Sequence, residues 1–418
     1  MNERRLHVGL DIGTTKVCTI IAVESPRKEL EIIGVGSHAS LGLKKGSVVN
    51  IDKTVKSINA SLEEAKLMAG VDVKSATIGI AGNHIYSFNS TGVVAVKNRE
   101  ITEEDVNRVI EAAKAVVIPS DREILHVIPQ EFKVDNTTGI RNPVGMCGVR
   151  LEAHVHIVTG VTPLIQNLVK CVEQLGIETD DIILQPIASS RSVLSNEERE
   201  LGVVLVDIGG GTTDIAIWKE GSLIHSQIIP IGGNHFTNDL AIALKIPHNE
   251  AERVKINHGC VLQELINQSS TVSVQGIKGT KARQIQMSLI SDVLGARAEE
   301  LFTIIKDVIE EKKLENDITG GFVLTGGGAL VKGSMELAEY ILERPVKVGY
   351  PIPFGSMSTI MQNPQYSTVL GLLLESAKDL QEREEQEDEF DMLVNEENSS
   401  DLVGKLSSSI KNVFRDIF

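Results

Sequence analysis

The chain has 418 residues, room for two or three domains at about 150 residues each. Hydrophobic residues make up 42% and charged residues 23%, which permits a sizeable core and excludes global disorder. Lys and Arg number 41 against 57 Asp and Glu, and the net charge of −16 argues against a nucleic-acid footprint.

The charge is unevenly spread. Residues 375–401 hold twelve acidic and two basic side chains, whereas residues 402–418 hold three basic and one acidic. Cys18, Cys147, Cys171 and Cys260 lie far apart with no Cys-x-x-Cys spacing, so neither a disulfide framework nor a zinc site is expected. The first residues lead straight into strand-like sequence, and no apolar run approaches the ~20 residues of a spanning helix. A soluble, cytoplasmic protein without a signal peptide is expected.

Leu6–Asp11, Val17–Glu24 and Leu30–Ser37 read as strands separated by turn residues. Ile51–Ala69 carries helical periodicity, with Ile58, Leu62, Ala65 and Ala69 on one face, and Ala76–Ala81 is again strand-like. From about Asn83 to Thr162 the texture changes. Thr102 caps the acidic first turn of a helix reaching about Val117, and Ile124–Ile128 and His154–Thr159 read as strands. This stretch is expected to be a small α+β insertion. A second half opens near Leu201, where Gly202–Gly209, Thr213–Lys219 and Ser222–Ile229 repeat the strand–turn pattern. A helix over Gln286–Lys313 follows, then a strand at Gly321–Leu324 that leads through three glycines into another helix. Trp218 and Phe322 are expected in the core.

The two halves share a motif. Val8–Thr15 matches Val204–Gly209 continued, after two extra glycines, by Thr212 and Thr213. Asp11 and Asp207 lie 196 residues apart, far too long a period for a solenoid, so two homologous lobes are expected. Each aspartate ends an apolar strand and opens a Gly/Thr turn. Glycine leaves consecutive N–H groups bare, which makes an anion-binding concavity; threonine hydroxyls add donors, and the aspartates can hold Mg²⁺ through water. One such turn reads equally well as a plain hairpin, but two on facing lobes would clamp a polyphosphate in the cleft between them. The glycines lead into a strand rather than a helix and no GxxxxGK(S/T) loop is present, which excludes a dinucleotide fingerprint and a P-loop. Thr325–Leu330, between strand and helix, offers bare backbone to a flat base or a phosphate.

Asp11–Lys16 resembles the first phosphate motif of the actin superfamily, Asp207–Asp214 the second, and Thr325–Leu330 its adenosine motif. Ile183–Ser190 is similar to the helix that joins the lobes. Within that superfamily the chain resembles the FtsA family of bacterial division proteins, on Asp-Ile-Gly-Thr-Thr-Lys at 11–16, Glu-Arg-Glu-Leu-Gly-Val at 198–203, Ile-Asn-His-Gly-Cys at 256–260 and Tyr-Ser-Thr-Val-Leu-Gly-Leu-Leu at 366–373. The resemblance covers essentially the whole chain. It implies an α/β, actin-like fold of two ribonuclease-H-like lobes around a nucleotide cleft. Residues 1–82, 163–200 and 360–374 would form the first lobe core, with the α+β subdomain inserted at 83–162. Residues 201–233 and 301–359 would form the second lobe core and 234–300 its small subdomain. An acidic flexible linker at 375–401 and an amphipathic helix at 402–418 would follow.

The resemblance also implies ATP and Mg²⁺ as cofactors. The implied contacts are Asp11, Gly13, Thr14, Thr15, Lys16, Asp207, Gly209, Gly210, Gly211, Thr212, Thr213, Gly233, Asn234, Gly326, Gly327 and Gly328. Glu252 and Lys255 would meet ribose and base, and Asp11 and Asp207 would face the waters of the magnesium. Lys16 could touch a phosphate or stand on the cleft wall. Gln185 could position a water for hydrolysis, which is weaker than acting as a base, or be a polar residue at a helix start. Glu152, His154 and His156 alternate along one strand face, a pattern that suits polar surface better than a metal site.

The function implied is that of an ATP-dependent adaptor, at most a slow ATPase. It would polymerise, attach FtsZ filaments to the cytoplasmic face of the cell membrane at the division site, and recruit later division proteins through the inserted subdomain. Arg297, Lys281 and Arg283, close to Lys278, would receive the acidic and apolar C-terminal peptide of FtsZ; the alternative for Arg297 is a helix-surface pair with Glu300. A phosphotransferase of the same superfamily is the rival reading, but it needs a substrate cleft with a dedicated base that the sequence does not offer. A heat-shock-type chaperone would need a β-rich domain after the second lobe.

Anionic lipids are the last expected partner. At ~100° per residue Leu402, Leu406, Ile410, Val413 and Ile417 fall within about 80°, and Val403, Phe414 and Phe418 widen the apolar face. Only Ser407 interrupts it. Lys405, Lys411 and Arg415 lie outside that arc, where they meet headgroups while the apolar face sinks in.

Overall fold

The computed structural model describes residues 5–25, 29–267, 269–276, 281–355 and 361–378. Lys278, residues 379–401 of the expected linker and the helix expected at 402–418 lie outside the described residues. Residues 1–374 form one unit; the described part of the second, residues 375–378, is helical.

Two five-stranded sheets are built to one plan. In the first, the order is Glu178–Leu184, Ser75–Ile80, Leu6–Ile12, Lys16–Glu24, Leu30–Ala39; in the second, Ser222–Ile229, Thr213–Lys219, Val203–Ile208, Phe322–Thr325, Val346–Val348. In each, the first strand of the repeat sits centrally, antiparallel to the strand after its turn and parallel to a later one. Such a central strand is covered on both faces and must be apolar throughout. Val203–Ile208 is buried at every position, and Leu6–Ile12 at all but the first. The sequence repeat is thus a repeat of topology.

Helices cover the sheets. Ile51–Ala69 is capped by Asn50, whose side chain accepts from the Lys53 N–H, and ends at Gly70 with φ 67°. Its buried face, Thr54, Ser57, Ile58, Ser61, Leu62 and Ala65, is mostly small. It lies so close to the strand Leu30–Ala39 that a methyl group on Gly36 would stand 1.8 Å from the Ser61 carbonyl oxygen. The helix Met287–Lys312 is continuous, so the subdomain boundary expected at 300 falls inside it.

The inserted stretch is a four-stranded sheet in the order Ile85–Ala95, Arg150–Val161, Arg122–Val134, Thr137–Ile140, with the helix Glu103–Lys114 packed on it. Thr102 and Asp105 form the capping box of that helix. Each lobe and the insertion has a hydrophobic cluster of its own, built on Val204 and Phe302, on Leu10 and Ile58, and on Leu151 and Val109. Phe322 is buried as expected, and Trp218 is half-buried against the second lobe.

The insertion is rooted in the first lobe yet rests on the second. Its polar side chains cap the carbonyls of the edge strand Ser222–Ile229: Ser87 Oγ donates to Ser226 O at 2.6 Å, and Asn89 Nδ2 to Ile224 O at 3.2 Å. Gln130 Nε2 donates to Leu223 O at 3.0 Å and Ile224 O at 3.1 Å. Because the Asn89 amide nitrogen is spent on Ile224, its oxygen faces His156 Nδ1 at 2.6 Å, so that nitrogen donates. His156 Nε2 lies 2.9 Å from Ser226 Oγ, whose hydroxyl can donate to the neutral ring. Glu152 and His154 lie on the same face, Glu152 buried and paired with Lys133 and Arg150, His154 half-buried beside Thr91.

Burial, with His225 and His126 nearby, depresses His156 to about 3. A histidine held neutral in the fold loses stability as pH falls below its unfolded pKa of about 6.5, because the unfolded chain then binds the proton. Between pH 7 and pH 4 the urea stability of the native chain should therefore fall by about 3 kcal/mol more than that of His156→Gln. Equal slopes in the two proteins would show that His156 titrates normally.

Candidate functional site

The two turns of the repeat face each other. Ile12 pairs with Val17, and Ile208 with Thr213, so each turn is a hairpin at the end of its central strand. Gly13 N–H donates to Lys16 O at 3.0 Å, and Gly209 N–H to Thr212 O at 2.9 Å. A methyl group on Gly210 would lie 2.4 Å from the Thr15 side chain, and one on Gly211 2.5 Å from Thr14 Oγ1. Only bare backbone allows the lobes to come this near.

A hollow of ≈ 250 Å³ lies between the turns. It is lined by Asp11, Gly13, Thr14, Thr15 and Lys16 from the first lobe, and by Asp207, Gly209, Gly210, Gly211 and Thr212 from the second. Gln185, Gly233, Asn234, Glu252, Lys255, Gly326, Gly327 and Gly328 complete it. Thr213 is the exception among the expected residues. Alternation along its strand points it away from the hollow; it is fully buried, and its hydroxyl donates to Ile231 O at 2.8 Å.

Asp214, on the other side of that alternation, does line the hollow and was missed from sequence. It pairs with Asp207 across the hairpin, and its buried Oδ1 has no hydrogen-bond partner. Three carboxylates therefore share one buried place. Burial lifts Asp11 to about 6, with Lys16 opposing and Asp207 adding to the rise. Burial and then the charge of Asp207 raise Asp214 well above the usual carboxylate range. Asp207 is also raised by burial, against the hydrogen bonds of Ser189 and Thr368 and the charge of Lys16. Ser189 Oγ donates to Asp207 Oδ2 at 2.5 Å and Thr368 Oγ1 at 3.2 Å, which fixes that carboxylate. Among the described residues no group of acidic or histidine side chains is placed to ligate a metal directly, so a cation here would be held through its waters, where its charge would relieve the mutual repulsion.

The remaining polar groups have defined partners. Gln185 begins the helix Gln185–Val193, and its Nε2 donates to Asp11 Oδ1 at 3.0 Å, leaving its amide oxygen as the acceptor. The Lys16 ammonium donates to the Gln365 carbonyl and lies 4.3 Å from the centre of the Tyr366 ring, on the cleft wall. Lys255 Nζ bonds Gly233 O at 3.0 Å and pairs with Glu252 at 2.8 Å. The segment Gly233–Asn234 is tied to the second turn by Gly233 N–H to Gly209 O and Asn234 N–H to Gly210 O, both 2.8 Å. Gly326, with φ 81°, brings its backbone against Asp207, where a methyl group would lie 2.3 Å from Oδ1. Beyond Lys255, Ile256 and Gly327 a second hollow of ≈ 570 Å³ adjoins the first.

Away from the cleft, Arg297 is held by Asp239 Oδ2 at 2.6 Å and by Glu300. Arg283 donates to the carbonyl of Leu244 at the end of the helix Gly233–Leu244, and Lys281 is exposed. Arg297 and Arg283 thus engage the same helix. Beside Arg297 a shallow groove of ≈ 380 Å³ runs over Ile242, Ala243, Val293 and Ala296.

Relatives bear on this geometry. Residues 204–371 match the family model described as "Cell division protein FtsA", and residues 82–159 match "SHS2 domain inserted in FTSA". The FtsA of Pseudomonas aeruginosa is 46% identical, covering 88% of this chain and 89% of that protein. The FtsA of Escherichia coli K12 is 38% identical over 89% and 90%. Among solved structures, the PilM–PilN type IV pilus biogenesis complex aligns with a TM-score of 0.67 at 16% identity, over 90% of this chain and 99% of that one. MreB5 of Spiroplasma citri bound to AMPPNP aligns with a TM-score of 0.56 at 17% identity, over 93% and 99%. The fold is actin-like, with an SHS2 domain inserted in the first lobe, and the chain belongs to the FtsA family of cell-division proteins.

Proposed function

We propose that this cell-division protein binds Mg-ATP between the two Asp-Ile-Gly turns and uses it as a conformational ligand. The observation that carries the reading is the facing pair of glycine turns over three buried carboxylates. The turns supply N–H and hydroxyl donors for the phosphates. Asp11, Asp207 and Asp214 would hold the magnesium through its waters, and the ion supplies charge neutralisation of the polyphosphate. The second hollow, past Gly327 and Lys255, has room for base and ribose. Gln185 can orient a water with its amide oxygen but cannot take its proton, so hydrolysis is slow at most. Asp207→Ala should weaken ATP binding about ten-fold or more in an isothermal titration with magnesium present. Unchanged affinity would remove the cleft assignment.

The adaptor part of the reading places FtsZ on the small subdomain of the second lobe. The groove over Ile242, Ala243, Val293 and Ala296, with Arg297 at its rim, suits a peptide of mixed acidic and apolar character. Arg297→Glu sets a third carboxylate against Asp239 and Glu300, and Arg297→Gln removes the charge more gently. Both should lower affinity for the C-terminal peptide of FtsZ at least five-fold by fluorescence anisotropy. Normal binding by both leaves Arg297 as a structural pair only.

Self-association into filaments, recruitment of later division proteins by the insertion, and attachment to the cytoplasmic face of the membrane complete the proposal. No helix of the described residues is long and apolar enough to cross a membrane. The anchor is assigned to the amphipathic pattern of residues 402–418, with residues 375–401 as its tether. Deletion of 402–418 should leave an ATP-binding protein that no longer sediments with vesicles containing anionic lipid. Sedimentation at the level of the full chain would place the anchor elsewhere.

A further inference from the structure

The strand Ser222–Ile229 is an edge of the second sheet, paired among the described residues only with Thr213–Lys219. An edge strand leaves a row of backbone groups to be satisfied, and here the insertion satisfies them with side chains. The contacts are short and directional: Ser87, Asn89 and Gln130 donate to carbonyls on the strand, and Ser222 Oγ donates back to Gln130 O at 2.9 Å. His156 ties Asn89 to Ser226 from within the seam, fully buried.

What this strand does next is the significant point. Its last residues pair with the second phosphate turn, Ile229 opposite Thr213 and Ile228 opposite Asp214. It then runs into Gly233 and Asn234, whose N–H groups bond the carbonyls of Gly209 and Gly210. The insertion therefore grips one end of a strand whose other end is paired beside the second turn.

Its root reaches the first turn as well. Arg122 donates to the His84 carbonyl at 2.8 Å, His84 Nδ1 meets Ser47 Oγ at 3.2 Å, and the neighbouring Gly46 N–H donates to Thr14 Oγ1 at 3.2 Å. His126 Nε2 accepts from the Leu184 N–H at 3.0 Å, one residue before Gln185, which bonds Asp11. One inserted subdomain is thus linked by hydrogen bonds to both halves of the cleft.

We propose that the inserted SHS2 subdomain is a clamp that sets the spacing of the two phosphate turns, so that a protein partner gripping this subdomain alters nucleotide affinity. The proposal rests on the assignment of the cleft to ATP. Thr14 and Thr15 already press against Gly211 and Gly210, so the turns are pre-positioned and small changes of lobe spacing are felt directly. By linkage, a contact that holds the binding-competent spacing contributes to affinity, and its loss lowers affinity by the fraction of molecules that leave that spacing.

The test uses the full chain with Ser87→Ala and Gln130→Ala together, then with His156→Ala added. Neither pair residue belongs to the apolar cluster of the insertion or lines the cleft. Nucleotide affinity is read with a fluorescent ATP analogue, and the seam by hydrogen exchange of the amides in Ser222–Ile229. The clamp predicts at least five-fold weaker binding in the triple variant, faster exchange in that strand, and unchanged protection of Arg150–Val161. Unchanged affinity in the triple variant, whatever the exchange shows, overturns the clamp and leaves the ATP site standing. Weaker binding with lost protection throughout Arg150–Val161 reports unfolding of the insertion and also counts against it. Failure of the unmodified chain to bind the analogue removes the ATP assignment itself.

Discussion

Everything in the cleft depends on how closely two loops of backbone can approach. Gly210 and Gly211 meet the side chains of Thr15 and Thr14 at distances that no Cβ would tolerate. Two central strands therefore end face to face, and their aspartates share one buried volume. Burial costs a lone carboxylate dearly, and three together cost more, as the raised positions of Asp11 and Asp214 indicate. Around this costly centre, neutral donors have been gathered. Ser189 and Thr368 fix Asp207, and Gln185 fixes Asp11.

Much of this was legible in the sequence because the fold was written twice. An apolar strand followed by Asp-Ile-Gly has many readings; the same strand 196 residues later has few. The strands Thr213–Lys219 and Ser222–Ile229 and the helix Ile51–Ala69 coincide with their sequence patterns, because burial on one or both faces dictates each period. Thr213 and Asp214 were a different matter. The turn after two extra glycines obscured which residue of the next strand faces the cleft, although the alternation with Thr212 would have indicated Asp214. Ser189 and Thr368 lie in segments whose resemblance was noted, but nothing local marks them, or Gln365, as neighbours of Asp207 and Lys16, which they reach from remote parts of the chain.

The seam between insertion and second lobe was equally invisible. Glu152, His154 and His156 looked like one polar strand face, and so they are, but that face is covered rather than open to solvent. His156 is fully buried because that face is covered by the edge of another sheet. A sequence records which residues share a face, not what is laid upon it. Membership of the FtsA family extends over the same span of chain, yet the tautomer of His156 follows only from the orientation of Asn89.

The long helix Met287–Lys312 has a mechanical consequence. At ~1.5 Å per residue it is roughly 39 Å from end to end, with no proline or cap to divide it. Near its middle Arg297 ties it to Asp239, and nearer its C-terminal end Lys306 is paired with Glu343 at 2.7 Å. Two residues before Arg297, Gly295 presses its backbone on Val261, where a methyl group would stand 2.7 Å from the carbonyl oxygen. An α-helix is stiff along its axis, so its two ends cannot be displaced independently. A load taken up at Lys306 is therefore carried along the same rod to the contacts of Gly295 and Arg297.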